Sequence, residues 1–163
     1  MSDLPRKAGA ILKSAGQKSP PTDLERVLAY LRLHHERPWH LSSDVWEGLA
    51  RPTRGRTRIK GTERTLRARD RWRLAHEIGH HVLHGAEPHL RAGSWEAHEI
   101  ELEADLFAAE LLMPGPWIER ELEHRHEHLD IEDLARTFKV GAPEMERRLR
   151  QLGLLRGEVL GRM

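Results

Sequence analysis

Four histidines and one glutamate lie within residues 74–85, and the spacing of three of these residues is suited to metal chemistry. His76 and His80 are one helical turn apart, so on an α-helix their side chains point in similar directions, about 6 Å apart along the axis. Both imidazoles can therefore bind one metal ion. Glu77 lies on the flank of this pair, within reach of a water molecule bound to the ion. This is the H-E-x-x-H arrangement, in which the glutamate deprotonates a metal-activated water.

The other two histidines of the stretch are weaker candidates. His81 is turned by about 100° from His80 and faces another side of the helix. His84 lies about 12 Å along the axis from His76, which is too far for both to bind one tetrahedral ion. We interpret His81 and His84 as structural or solvent-facing. The three-histidine metzincin pattern is excluded, because residue 86 is alanine rather than histidine.

A third ligand is expected from residues 98–114, which have the periodicity of a helix. Glu101 and Asp105 fall on its apolar stripe, which also contains Ala104, Ala108, Leu111 and Leu112. An inward carboxylate is costly unless a cation compensates it. We therefore predict that Glu101 binds the metal and that Asp105 accepts a hydrogen bond from a ligand histidine.

Two alternatives for the third ligand stay open, namely Glu103 and His98. The glutamates of the opposite side are interpreted as water-facing; they are Glu96, Glu99, Glu103 and Glu110. Two histidines and one glutamate with an open fourth position are typical of catalytic zinc. We predict Zn²⁺ as the cofactor, with Mn²⁺ as the alternative.

Several elements must position these residues. The pattern at residues 22–25 is a capping box that starts a helix, and residues 56–61 alternate as a short strand with outward charges. Helices are predicted at about 70–83, 96–113 and 117–128, followed by two short helices around a turn at Val140-Gly141. We divide the chain into a flexible tail (1–21), a metal-binding core (22–129) and a helix-turn-helix-like segment (130–163).

Composition narrows the class of protein. The chain has no cysteine, which rules out disulfides and cysteine-ligated metal sites. It has no long apolar run and no signal-peptide pattern, so we expect a cytoplasmic protein that does not contact membranes. The net charge of +1 is unevenly distributed. Residues 1–73 carry 17 Lys and Arg against 8 Asp and Glu, whereas residues 74–130 carry 3 against 13.

Two segments resemble the motifs of the ImmA/IrrE family of metallo-endopeptidases. These are RDRWRLAHEIGHHVLH at 69–84 and ELEADLFAAELLMP at 101–114, with a weaker likeness at 134–155. The resemblance implies an α+β, mostly helical fold: a minimal gluzincin-like core whose small antiparallel sheet packs on helices, followed by the helix-turn-helix-like segment. Asp105 stands where the family more often has asparagine, and Trp72 where it usually has phenylalanine.

The resemblance also implies a function. His76, His80 and Glu101 would bind zinc and Glu77 would act as the base of an endopeptidase. The expected substrate is a helix-turn-helix transcriptional repressor, whose cleavage would derepress a mobile element or a stress response. No oxyanion-stabilising side chain can be identified from the sequence.

Two other functions compete with the peptidase interpretation. The first is a helix-turn-helix DNA-binding regulator with a metal-sensing histidine site, using residues 130–155. Glu144 and Glu146 at the start of its would-be recognition helix speak against it, because phosphate contacts need clustered Lys and Arg. The second is a histidine-rich metal-binding interaction protein that uses residues 124–128.

Overall fold

The computed structural model describes residues 3–32, 51–53, 56–58, 67–84, 95–125 and 129–155. Within these ranges the chain forms seven α-helices and one pair of short strands. The elements are α1 (Leu4–Ser14), α2 (Leu24–Leu31), β1 (Arg51–Thr53), β2 (Arg56–Arg58), α3 (Ala68–His84), α4 (Trp95–Leu112), α5 (Gly115–His124), α6 (Ile131–Phe138) and α7 (Ala142–Gln151).

Helices α3 and α4 pack closely against each other at the centre of the molecule. Leu74 and Ile78 of α3 are buried, as are the four residues of the stripe predicted on α4: Ala104, Ala108, Leu111 and Leu112. The close approach depends on Gly79. A Cβ atom at Gly79 would lie 3.0 Å from the carbonyl oxygen of Ala104 and 3.2 Å from its Cα. The two helices that carry the candidate site are therefore held backbone to backbone.

The interpretation of residues 1–21 as a loosely ordered tail is corrected by α1. This helix buries one apolar face, formed by Leu4, Ala8, Ile11 and Leu12, and packs on α4. The glycines and prolines of the segment suggested disorder. However, Pro5 lies in the first turn of the helix, where its missing N–H removes no hydrogen bond. Gly16 follows the helix with a positive φ of 71°.

The start of α2 also differs in detail from the predicted capping box. Asp23 is the N-cap, and its side chain accepts a hydrogen bond from the backbone N–H of Arg26 at 3.0 Å. Thr22 is instead fully buried, and its hydroxyl donates to the carbonyl of Leu111 at 2.8 Å. Thr22 therefore ties the start of α2 to the end of α4.

Helices α6 and α7 flank the turn at Val140-Gly141, as predicted. Asp130 caps α6, and Pro143 lies in the first turn of α7. Leu134, Phe138, Met145 and Leu149 are completely buried in the same hydrophobic core as the preceding helices. The segment that begins at residue 130 is therefore packed on the site-bearing helices.

The predicted α+β core, with a small antiparallel sheet packed on helices, is wrong. Every buried apolar residue whose side chain the structure describes lies in a helix or in the turn that follows one. Strand pairing in the described residues is limited to β1 with β2, with Thr53 opposite Arg56 and Arg51 opposite Arg58. These six residues include no large apolar side chain, so they have little to contribute to a core. The mostly helical character of the prediction is correct.

The strand predicted at 56–61 is formed at Arg56–Arg58, and residues 59–61 lie outside the described ranges. So do residues 126–128, which belong to the histidine-rich sequence at 124–128. None of the helices in the described ranges is both long enough and apolar enough to cross a membrane.

Candidate metal centre

Helix α3 presents the H-E-x-x-H residues at one margin of its contact with α4. Its buried face carries Leu74, Ala75, Ile78 and Gly79, so the intervening His76, Glu77 and His80 lie at the edge of the helix pair and remain partly exposed. Glu101 and Asp105 are one turn apart on α4 and lie at the same edge. Packing around Gly79 thus brings the two sets of polar residues together.

The ligand atoms of His76, His80 and Glu101 converge. The Nε2 atoms of His76 and His80 are 3.0 Å apart. The Glu101 carboxylate lies 3.1 Å from Nε2 of His76 through Oε2 and 3.3 Å from Nε2 of His80 through Oε1. Ligands about 2.0–2.1 Å from a tetrahedral zinc ion are separated by about 3.3 Å, so this donor set fits such an ion. The three residues form a possible metal site.

Asp105 contacts the opposite side of the His76 ring. Its Oδ1 lies 2.9 Å from Nδ1 of His76. Because a carboxylate only accepts hydrogen bonds, Nδ1 is the protonated nitrogen, and Nε2 keeps its lone pair for a ligand. Burial lowers the pKa of His80, and the neighbouring His76 lowers it further. A neutral imidazole with a free lone pair is the form that binds a metal.

Glu77 lies in an open cleft of about 300 Å³ that is also lined by Trp72, Arg73, His76 and Asp105. Burial raises the pKa of the Glu77 carboxyl above its ordinary value. The nearby Glu101 carboxylate raises it too, whereas His76 and Arg73 act in the opposite direction. A carboxylate of raised pKa is a better proton acceptor, which suits a general base.

The structure brings Glu101 to the histidine pair, but the Glu101 side chain is not buried, although burial is what the periodicity of α4 predicts. The Glu101 side chain is 60% exposed and that of Asp105 45% exposed, so neither is an inward carboxylate. Both residues lie at the margin of the apolar stripe and reach across to α3. The periodicity predicted the correct side of α4, but it placed Glu101 and Asp105 within the apolar stripe rather than at its margin.

The alternative ligands lie elsewhere. The Glu103 carboxylate is 2.9 Å from Nε2 of His84, while His98 is exposed and outside the cluster. Glu110, expected to face water, forms an ion pair with Arg148 at 2.6 Å. Glu110, whose side chain is 16% exposed, was therefore wrongly interpreted as water-facing, whereas the Glu103 side chain is 42% exposed although it contacts His84. His84 makes a contact between α3 and α4, in line with the structural interpretation.

Sequence reasoning missed two residues that line the cleft, Trp72 and Arg73. Trp72 precedes His76 by four positions, and Arg73 precedes Glu77 by four. Each therefore lies on the same side of α3 as its partner, one turn earlier. Extending the i, i+4 spacing one turn towards the start of the helix would have identified both.

Comparison with known proteins identifies the family. Residues 50–150 match the family model Peptidase_M78, described as the IrrE N-terminal-like domain. No curated protein and no solved structure matches the chain. The matched span covers more than half of the sequence and includes both motifs that resemble the ImmA/IrrE family. The chain therefore belongs to the Peptidase_M78 family of metallopeptidases, the IrrE N-terminal-like domains.

Proposed function

We propose that this chain is a zinc-dependent endopeptidase of the H-E-x-x-H type that cleaves a helix-turn-helix transcriptional repressor. The observation that carries the proposal is the convergence of two imidazoles and one carboxylate beside a second, cleft-lining glutamate, Glu77. Membership of a metallopeptidase family supports the reaction class. Mn²⁺ is the alternative metal.

His76, His80 and Glu101 would hold the metal. When bound, a divalent ion supplies Lewis acidity that polarises the substrate carbonyl and makes water a stronger acid at neutral pH. Asp105 keeps His76 in the tautomer whose Nε2 lone pair faces the cluster. The donor set uses three protein ligands, as catalytic zinc sites do.

Glu77 would carry the proton transfers. Its carboxylate accepts a proton from the attacking water as the water oxygen bonds to the carbonyl carbon. Glu77 then donates that proton to the amide nitrogen as the C–N bond breaks, so the products are a new carboxylate and a new amine. Partial burial supports both steps, because it raises the pKa of Glu77 and so brings it closer to the pKa values of the attacking water and of the leaving amine.

The substrate class follows from family resemblance rather than from the geometry. A transcriptional repressor resides with the chromosome, so we place this activity in the cytoplasm of the cell. Repressors encoded beside the gene for this chain are the first candidates. Cleavage at one site would yield two discrete fragments.

The test is incubation of the zinc-loaded protein with purified candidate repressors, followed by mass spectrometry of the fragments. The Glu77→Gln variant should retain metal and fold but lose cleavage by about 10²–10⁴-fold, the usual contribution of a general base. Glu119→Gln, on the exposed surface of α5, is the matched control and should cleave like the wild type. A Glu77→Gln protein as active as the wild type would falsify the mechanism.

A further inference from the structure

A second, smaller cavity adjoins the cleft that holds Glu77. It has a volume of about 110 Å³ and lies between α3, α4 and α7. Trp72 and Asp105 line both this cavity and the cleft. The two spaces are therefore neighbours, one beside the candidate metal centre and the other beside the helix-turn-helix-like segment.

Most of the exposed surface of this cavity is apolar, although five of its nine lining residues are polar or charged, Gln151 among them. Its apolar wall consists of Trp72, Leu106, Ala109 and Leu102; Leu102 is 49% exposed and is one of the few large apolar side chains exposed in the described ranges. The guanidinium of Arg147 lies over the Trp72 ring, 5.9 Å from its centroid. An apolar side chain entering the cavity would cover the exposed surface of Leu102.

Two of the charged groups at the rim have partners on the protein. Arg148 pairs with Glu110 at 2.6 Å, and Asp105 contacts His76 at 2.9 Å. The Glu144 carboxylate lies against Gly141 at the start of its own helix. The rim thus presents two acids and two arginines, whose charges balance. This arrangement favours an uncharged ligand group over an acidic or a basic one.

The size and the position of the cavity further restrict which side chain it could bind. A cavity of about 150 Å³ holds a benzene molecule, so this smaller one suits an aliphatic side chain of the size of valine, leucine or methionine. Trp72 precedes His76 by one helical turn, which is about 6 Å along the axis. An extended peptide advances about 3.3–3.6 Å per residue, so about two residues would separate this cavity from the metal centre on a peptide that runs parallel to α3.

We propose that the cavity beside Trp72 is a specificity subsite that binds an aliphatic side chain of the substrate, two residues from the cleaved bond. The proposal rests on the proposed peptidase function and adds the residues that select the substrate. It also gives α7 a role, because this helix contributes Arg147 to the rim. The helix-turn-helix-like segment would then contribute to substrate specificity.

The first experiment profiles the zinc-loaded wild type on a library of random decapeptides, with cleavage sites identified by mass spectrometry. We expect leucine, methionine, isoleucine or valine to be preferred over alanine by about tenfold or more, two residues from the cleaved bond. A hydrophobic pocket discriminates between side chains that differ by a few methylene groups to this degree. Aspartate and lysine should be disfavoured at the same position.

The second experiment fills the cavity. Ala109→Met fills it from the inner wall and Leu102→Trp from the exposed rim, where the larger side chain is readily accommodated. In both variants the ratio of kcat/KM for a peptide with leucine at this position to kcat/KM for the matched alanine peptide should fall by about tenfold or more. Glu99→Met adds the same side chain as Ala109→Met to the exposed part of α4, and it should keep the wild-type preference.

The outcomes separate the two proposals. Cleavage that depends on Glu77 but shows no aliphatic preference at this position, or a preference that neither filled variant changes, overturns the subsite and leaves the peptidase function standing. Absence of any cleavage that depends on Glu77 overturns both. If Ala109→Met has lost its helical circular dichroism, loss of the leucine preference in Leu102→Trp alone supports the subsite.

Discussion

Glu101 and Glu103 are two residues apart on α4, but their carboxylates have different neighbours. Glu101 reaches both His76 and His80, whereas Glu103 contacts His84. Glu103 is also the alternative third ligand, so the pair offers a test in which the same residue type is removed at two nearby positions.

We expect Glu101→Ala to lower zinc affinity by more than about 100-fold, because loss of an outer-shell partner alone costs about 10–100-fold. Glu103→Ala should leave zinc affinity within a few-fold of the wild type. Competition with a chromophoric chelator measures both values. A larger loss in Glu103→Ala would assign the third ligand to Glu103, and equal losses would contradict the assignment to Glu101 alone.

Asp105 offers a second test on the scale of a single residue. Asp105→Ala should lower zinc affinity by about 10–100-fold, since the His76 ring loses the group that fixes its tautomer. Asp105→Asn should retain most of the affinity, because an amide oxygen also accepts a hydrogen bond from Nδ1–H. Asparagine is also the residue that the ImmA/IrrE family more often has here. An Asn variant as weak as the Ala variant would show that the negative charge is required instead.

At this scale the sequence was most informative where spacing alone decides geometry. The positions of His76, Glu77 and His80 follow from one helical turn. Glu101 was selected for an inward position that it does not have, because periodicity does not distinguish a buried stripe from its margin. A long side chain at the margin reaches the histidines while most of it stays in water. Trp72 and Arg73 were missed because both precede the H-E-x-x-H motif, which begins at His76.

At the scale of elements, the contact between α3 and α4 depends on a glycine. A Cβ atom at Gly79 would be within 3.3 Å of the Ala104 backbone and of the Phe107 ring. The oxygen and Cα of Ala104 belong to a helix and cannot rotate away as a flexible side chain would. Gly9 in α1 is the opposite case, because a Cβ there meets nothing within 4 Å.

The same substitution should therefore have opposite effects at the two positions. We expect Gly79→Ala to lower the free energy of unfolding by about 0.5–2 kcal/mol, because overpacking costs about 1–3 kcal/mol and helix propensity returns only about 0.5–1 kcal/mol of it. Gly9→Ala should raise it by about 0.5–1 kcal/mol through that propensity alone. Urea denaturation followed by circular dichroism measures both. A stabilised Gly79→Ala protein would show that the two helices separate at no cost.

The helices were more predictable than their connections and ends. Amphipathic periodicity located α3, α4, α6 and α7, because each buries one face. It failed for α1, where glycine and proline suggested disorder although four apolar residues share one face. The capping-box pattern assigned the capping role to Thr22, because the sequence does not show that the Thr22 hydroxyl is engaged by the carbonyl of Leu111; the cap is Asp23, and aspartate is the stronger N-cap residue of the two. The expected sheet came from family resemblance.

At the scale of the whole molecule, two buried arginines join distant parts of the chain. Arg71 of α3 is fully buried and donates to the carbonyls of Lys139 at 3.1 Å and Thr22 at 2.8 Å. Arg148 of α7 donates to the carbonyl of Met113 at 3.0 Å and pairs with Glu110. The helix-turn-helix-like segment is therefore fixed to the helices that carry the candidate metal centre.

This docking weakens the DNA-binding alternative. Of the three arginines on α7, Arg148 is buried, Arg147 lies over Trp72 and Arg150 pairs with Glu146 at 2.6 Å. Phosphate contacts need exposed, clustered cations. Because the arginines of α7 contact groups of the same protein, this helix presents little positive charge to DNA.

The contrast between Arg148 and Arg150 gives a prediction for the whole molecule. Arg148→Met should lower the free energy of unfolding by about 3–5 kcal/mol, because it leaves the mostly buried Glu110 without its cation. Arg150→Met should change it by no more than about 0.5 kcal/mol, since the Arg150 side chain is 61% exposed and its ion pair lies within one helix. Urea denaturation of both variants and the wild type measures the difference.

A double variant separates loss of the ion pair from loss of packing. If the cost of Arg148→Met comes from the stranded Glu110 charge, adding Glu110→Gln should recover part of it, because a neutral amide is cheaper to bury than an unpaired carboxylate. Equal effects of Arg148→Met and Arg150→Met would mean that α7 is only loosely attached. In that case the core would not hold the rim of the cavity beside Trp72 in place, and Arg147 would be free to move away from Trp72.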